Sequence, residues 1–138
     1  KKMKLIRILF LFTAVFFTAI SVKAQHKIVW DMVQADTAMQ RGLYKQLNNV
    51  ITAAPDTKIE VVFHGNAVYA LLKDTGYFKE QIIALHKKGV LFRVCNNSLK
   101  GRNIDLSRVI SEAVVVPVAV LELASKQEED WSYIKAGG

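Results

Sequence analysis

Cys95 is the only cysteine among the 138 residues, and it stands where the apolar run Val90–Val94 gives way to Asn96-Asn97-Ser98. A thiol at the exit of a buried strand and the start of a helix sits in the field of the helix N-terminus, which favours its thiolate. The chemistry open to such a group is nucleophilic exchange at sulfur. Asn96 and Asn97 supply amides able to hydrogen-bond a terminal sulfur, and Ser98 and Leu99 bring backbone N–H groups to the helix start. His64 and Asn66 follow another apolar run. A neutral imidazole there can accept a thiol proton, and its cation can stabilise a thiolate.

Each of these residues also has a plainer reading. A free cysteine is often only a small buried apolar residue. Asn66 can serve as a helix cap. His64 reads first as a strand-end residue satisfied by backbone, because no third residue identifies itself as its orienter. Asp31 and Asp36 can line the mouth of the same cleft, Asp36 more simply as a cap, and Arg102 can meet an anionic sulfur species or stand solvated. His26 and His86 are scattered, so three histidines and one cysteine give no metal-ligand spacing and no metal is expected. Neither a GxSxG elbow, a phosphate-binding glycine loop nor a paired-carboxylate signature is present, and no organic cofactor is implied.

The elements that must position these residues alternate in type. Strands are expected over Lys27–Val33, Lys58–His64, Val90–Cys95, Ala113–Val116 and Trp131–Lys135, from their β-branched and aromatic runs. The helix after the first strand opens on Thr37-Ala38-Met39-Gln40, which has capping-box spacing. It places Leu43, Leu47, Val50 and Ile51 on one face and ends before Pro55. A short helix capped by Asn66 runs to Leu72, and a further one carries Phe78, Ile82 and Leu85 to a stop at Gly89. Ser98–Gly101 forms one turn, and Asp105 caps another over Leu106–Ile110. Pro117 opens a last helix to about Glu129 whose inward positions are Val118, Leu121 and Ala124 or Ser125. Alternation of this kind implies a three-layer α/β/α sandwich on a mainly parallel sheet of about five strands. In such sheets ligands and chemistry collect beyond the carboxyl ends of the strands, here Asp31–Gln34, His64–Asn66, Cys95–Ser98 and Val116–Pro117.

The N-terminus sets the compartment. Lys1, Lys2, Lys4 and Arg7 precede the mostly apolar stretch Ile8–Ile20, and Val22-Lys23-Ala24 has the small residues of a signal-peptidase site. Residues 1–24 are therefore expected to be a signal peptide, with Met3 as the start, and the apolar stretch is short for an uncleaved anchor. The chain from residue 25 to 138 is expected to be one exported, periplasmic domain without a stable membrane anchor. Five of the 19 Lys and Arg lie before residue 25 and none of the 12 Asp and Glu do. The overall charge of +7 thus falls to +2, and no basic stripe with interleaved aromatics argues for nucleic acid.

LNNVI at Leu47–Ile51, IEVVFHG at Ile59–Gly65, GVLFRVCNNSL at Gly89–Leu99 and VVVPVAVLELASKQEEDWSYIK at Val114–Lys135 resemble, in that order, the DsrE/DsrF-like sulfur-relay family, particularly its exported branch. The resemblance implies the same three-layer fold and assembly into trimers or hexamers, for which Trp131, Tyr133 and Val114–Val120 supply apolar surface. In sulfur-transferring members a cysteine after the third strand carries persulfide sulfur, and Cys95 falls on that position. The resemblance therefore implies an exported sulfur carrier or sulfurtransferase, working without metal or cofactor and exchanging with a thiol or persulfide partner protein. The alternative is a non-catalytic oligomeric module that binds a small ligand and keeps Cys95 as a structural residue.

Overall fold

The computed structural model describes residues 25–137. The expected signal peptide, residues 1–24, lies outside them. Five strands form one sheet in the order β4-β3-β2-β1-β5. They are β1 (Lys27–Met32), β2 (Lys58–Phe63), β3 (Leu91–Cys95), β4 (Ala113–Val116) and β5 (Ser132–Lys135). Every pairing is parallel. Parallel neighbours need a crossover, and helices supply it. The helices are α1 (Thr37–Ala53), α2 (Lys79–Lys87), the single turn α3 (Asn96–Lys100) and α4 (Ala119–Glu128). Two 3-10 segments, Gly65–Leu71 and Leu106–Arg108, complete the connections. The result is a three-layer α/β/α sandwich, as the alternation of patterns implies.

The two faces of the sheet differ in how they are covered. On one, α1 and α2 bury Leu43, Tyr44, Leu47, Ile82 and Leu85 against Trp30, Met32, Ile59, Val61, Phe63, Phe92 and Val94. On the other, α4 carries the chain from β4 at one edge to β5 at the opposite edge. The buried apolar cluster there is small: Val29, Val62, Cys95, Ala119 and Leu123, with Trp131 packed against it. Side chains alternate across a strand, so Val29 and Asp31 of β1, Glu60 and Val62 of β2, and Arg93 and Cys95 of β3 all belong to the α4 side. Three charged residues among these are unusual for the interior of a parallel sheet.

Four expected details change. The N-cap of α1 is Asp36, whose carboxylate accepts from Met39 N–H at 2.9 Å, so Thr37 is the first helical residue and the capping box is not formed. Removing that acceptor in Asp36→Ala should cost about 1 kcal/mol, read as a lower denaturation midpoint with unchanged m-value. Asn66 does not cap the segment after β2. That segment starts at Gly65 with His64 before it and no side-chain cap. The turn after β3 begins at once, at Asn96 rather than Ser98. Pro117 lies outside α4, because Val118 is extended (φ −142°, ψ 116°) and acts as N-cap. The inward positions are consequently Ala119, Glu122, Leu123 and Lys126, while Leu121 is exposed. No helix among the described residues is long and apolar enough to cross a membrane.

Candidate functional site

Cys95 ends β3 with its sulfur among Val29, Val62, Ala119 and Leu123, only 4 % exposed. It meets two helix starts. α3 follows it directly, and the first residue of α4, Ala119, donates its N–H to Sγ at 3.4 Å. Burial alone would push the thiol up, and it is the largest single influence on it. Against it act the Ser98 hydroxyl, the Ala119 N–H and the N–H groups of Ser98 and Asn97, which together hold Cys95 below the usual thiol value. The expected contribution from the helix after β3 is thus present, and α4 adds a donor whose place 24 residues onward gave no local signal.

His64 is the residue after β2. The register Phe63↔Val94 brings His64 alongside Cys95, and parity with Val62 places it on the α4 side. Its imidazole is held by a side chain rather than by backbone: Nε2 lies 2.8 Å from Asp31 Oδ1. Asp31, buried near the end of β1, receives a second bond from the Tyr133 hydroxyl at 2.7 Å on Oδ2. That hydrogen bond, with some burial and the charge of Asp31, pushes the Tyr133 phenol up to about 12. Asp31 therefore does not simply line the cleft mouth. It joins β1, β2 and β5 and is the orienter that the sequence left unidentified.

The remaining expected residues take different parts. Ser98 Oγ accepts from Gly65 N–H at 3.0 Å, tying the turn after β2 to the turn after β3. Asn66 Oδ1 accepts from Arg102 Nη2 at 2.9 Å, and Arg102 Nη1 donates to the Ser98 carbonyl at 3.2 Å. Arg102 thus braces the two polar turns with part of its guanidinium. Asn96 Oδ1 is buried with no partner, and Asn97 is exposed with its N–H on the Pro117 carbonyl at 3.3 Å. Gly65 has φ +57°, and a Cβ there would stand 3.1 Å from both Cγ1 and the carbonyl oxygen of Val33. Gly65→Ala should therefore cost about 1–2 kcal/mol, visible as a fall of several degrees in Tm. A variant as stable as wild type would remove the strain argument.

Glu60 is the residue for which the sequence offered no role. It is fully buried in β2, with Arg93 Nε 3.1 Å from Oε2 and no hydrogen-bond partner on Oε1. Burial is the main reason its carboxyl is pushed up to about 7. Proximity to Glu122 of α4 adds to the rise, and the Arg93 guanidinium opposes it. Because Oε1 is unbonded, the Glu122 contribution is one of approach and not of a formed hydrogen bond. An open groove of about 340 Å³ lies elsewhere, bordered by Lys73, Lys79, Glu80, Ile83, Ile110 and Glu112, and shares no residue with the Cys95 site.

The DsrE/DsrF-like family matches the chain over residues 11–136, and the protein belongs to that family. The match begins inside the segment whose composition reads as a signal peptide. Among solved structures, the protein of unknown function MTH1491 from Methanobacterium thermoautotrophicum is similar at 24% identity. The superposition has a TM-score of 0.77 and covers 80% of this chain and 99% of that one. At that identity the likeness concerns the fold. No curated protein matches. Members of the family belong to sulfur-relay systems and are generally oligomeric.

Proposed function

We propose that the protein is an exported, periplasmic sulfur carrier that holds sulfane sulfur as a persulfide on Cys95. The observation that carries this reading is the Ala119 N–H donated to the sulfur of Cys95, the residue from which the turn following β3 starts. Donors aimed at a thiol stabilise its anion, and the thiolate is the form that attacks sulfur. In the exchange the Cys95 thiolate attacks the sulfane sulfur of a donor such as thiosulfate. The donor's S–S bond breaks, sulfite leaves with the electron pair, and a new S–S bond forms on Cys95. A partner thiolate then takes that sulfur by the reverse displacement, so neither metal nor organic cofactor is required. With 4 % of the residue exposed, exchange requires the packing of α4 residues Ala119 and Leu123 against Cys95 to give way.

Assembly into a trimer or hexamer fits the exposed apolar residues Leu91 of β3, Val114 of the edge strand β4, and Val120 and Leu121 of α4. The second reading, a non-catalytic oligomeric module that binds a small ligand around a structural cysteine, draws on the same low exposure of Cys95. Intact mass of the mature protein after incubation with thiosulfate or polysulfide separates the two. A gain of one or more sulfur atoms, removed by reductant, supports the carrier. A folded protein that gains none and resists alkylation overturns it in favour of the module.

A further inference from the structure

Asp31 is a buried carboxylate with both oxygens engaged by side chains from other strands, His64 on Oδ1 and Tyr133 on Oδ2. Around Asp31 on this sheet stand the apolar Val29 along its own strand, Val62 opposite it on β2 and the exposed Lys135 opposite it on β5. The consequence for the imidazole is definite. A carboxylate can only accept, so Nε2 carries the hydrogen and a neutral ring is left with Nδ1 as an acceptor. Tyr133 occupies the second oxygen, which fixes the rotation of the carboxylate and leaves only Oδ1 to the ring. The register Phe63↔Val94, carried one residue further, sets His64 opposite Cys95 on strands about 4.8 Å apart.

We infer that Asp31 and Tyr133 are positioning residues that fix His64 in its Nε2-protonated tautomer, making it the proton partner of Cys95 in sulfur exchange. This rests on the carrier reading and adds the route of the proton. With a persulfide donor RSSH, Nδ1 takes the proton of the Cys95 thiol, giving thiolate and imidazolium. The thiolate attacks the terminal sulfur of the donor, whose S–S bond breaks as the Cys95–sulfur bond forms. The leaving RS⁻ collects the proton from the imidazolium, so a thiol and a persulfide have exchanged one sulfur atom with no net oxidation. Delivery of sulfur to a partner thiol runs the same steps in reverse.

The test measures the rate of Cys95 alkylation by iodoacetamide against pH, beside sulfur uptake from polysulfide, in wild type, His64→Gln, Asp31→Asn and Tyr133→Phe. His64 ring nitrogen shifts are recorded in the last two. Alkylation at pH 7 should fall roughly tenfold in His64→Gln and Asp31→Asn and about threefold in Tyr133→Phe, with the midpoint of each profile moved upward. The Nε2-protonated signature should weaken in Tyr133→Phe and vanish in Asp31→Asn. Should Asp31→Asn fail to fold, Tyr133→Phe decides, because the ring is at the surface and only a hydroxyl is removed. An unmoved midpoint and an unchanged tautomer in folded Tyr133→Phe overturn the inference. Profiles that shift as expected in a protein that never gains sulfur sink the carrier reading and leave His64 as the activator of the thiol. Sulfur uptake in wild type with unshifted profiles sinks the inference alone.

Discussion

Cys95→Ser should abolish sulfur uptake completely while leaving the domain folded. Uptake needs an atom that is both anionic near neutral pH and polarisable enough to displace sulfur from sulfur. A serine hydroxyl at the same point is neither, and the loss should exceed about a thousandfold, placing any residual mass gain below detection. Ser98 cannot substitute, because its oxygen is held by Gly65 N–H. The structural cost is modest. The Ala119 N–H that bonds Sγ can donate to a serine oxygen, so the change amounts to placing one hydroxyl among Val29, Val62 and Leu123, about 1–2 kcal/mol. Intact mass and circular dichroism on the same samples read both parts. A folded Cys95→Ser protein that still gains reducible sulfur would place the chemistry elsewhere and remove the carrier reading.

The strands were legible because each is a β-branched or aromatic run, and β4 falls on Ala113–Val116 as read. What misled was α4. Proline at the first helical turn is a sound prior, yet Val118 remains extended and the helix begins two residues after Pro117. That shift turns Ala119, Glu122, Leu123 and Lys126 toward the sheet. Two of these four are charged, so no apolar period marks the true face. The place of Cys95, His64 and Ser98 at the carboxyl edge of the sheet was legible, since polar residues directly after apolar strands mark that edge. The bond between Asp31 and Tyr133 was not, because 102 residues separate them and only the pairing of β1 with β5 joins them. A usable clue did exist: Asp31 in KIVWDM and Glu60 in KIEVVF are lone acids inside otherwise apolar strands. A charge in that position must be paired or protonated.

Glu60→Gln should flatten the dependence of stability on pH between about 4 and 7 and leave the variant more stable than wild type above that window. The sign follows from the direction of the shift. An unfolded-chain glutamate titrates near 4.3, whereas the buried carboxyl of Glu60 is raised to about 7. Between those values the folded protein keeps a proton that the unfolded chain has released. Stability is therefore fully present below the lower value and is lost as pH rises to the higher one, by roughly 3–4 kcal/mol. The amide of glutamine can still accept from Arg93 and can donate toward Glu122, but it releases no proton, so that slope disappears. Glu60→Ala is the harsher change. It leaves Arg93 without its carboxylate and opens a cavity in the central strand, costing roughly 3 kcal/mol at neutral pH. Urea titrations at several pH values decide the matter, and a wild-type slope that Glu60→Gln retains would show that Glu60 is not the group responsible. Ionisation of Glu60 also strains a specific contact. Glu122, held by Lys126 at 4.0 Å, faces it from α4, the same helix whose first N–H bonds the sulfur of Cys95. The charge repelled at high pH thus lies one helical turn from the donor that stabilises the thiolate.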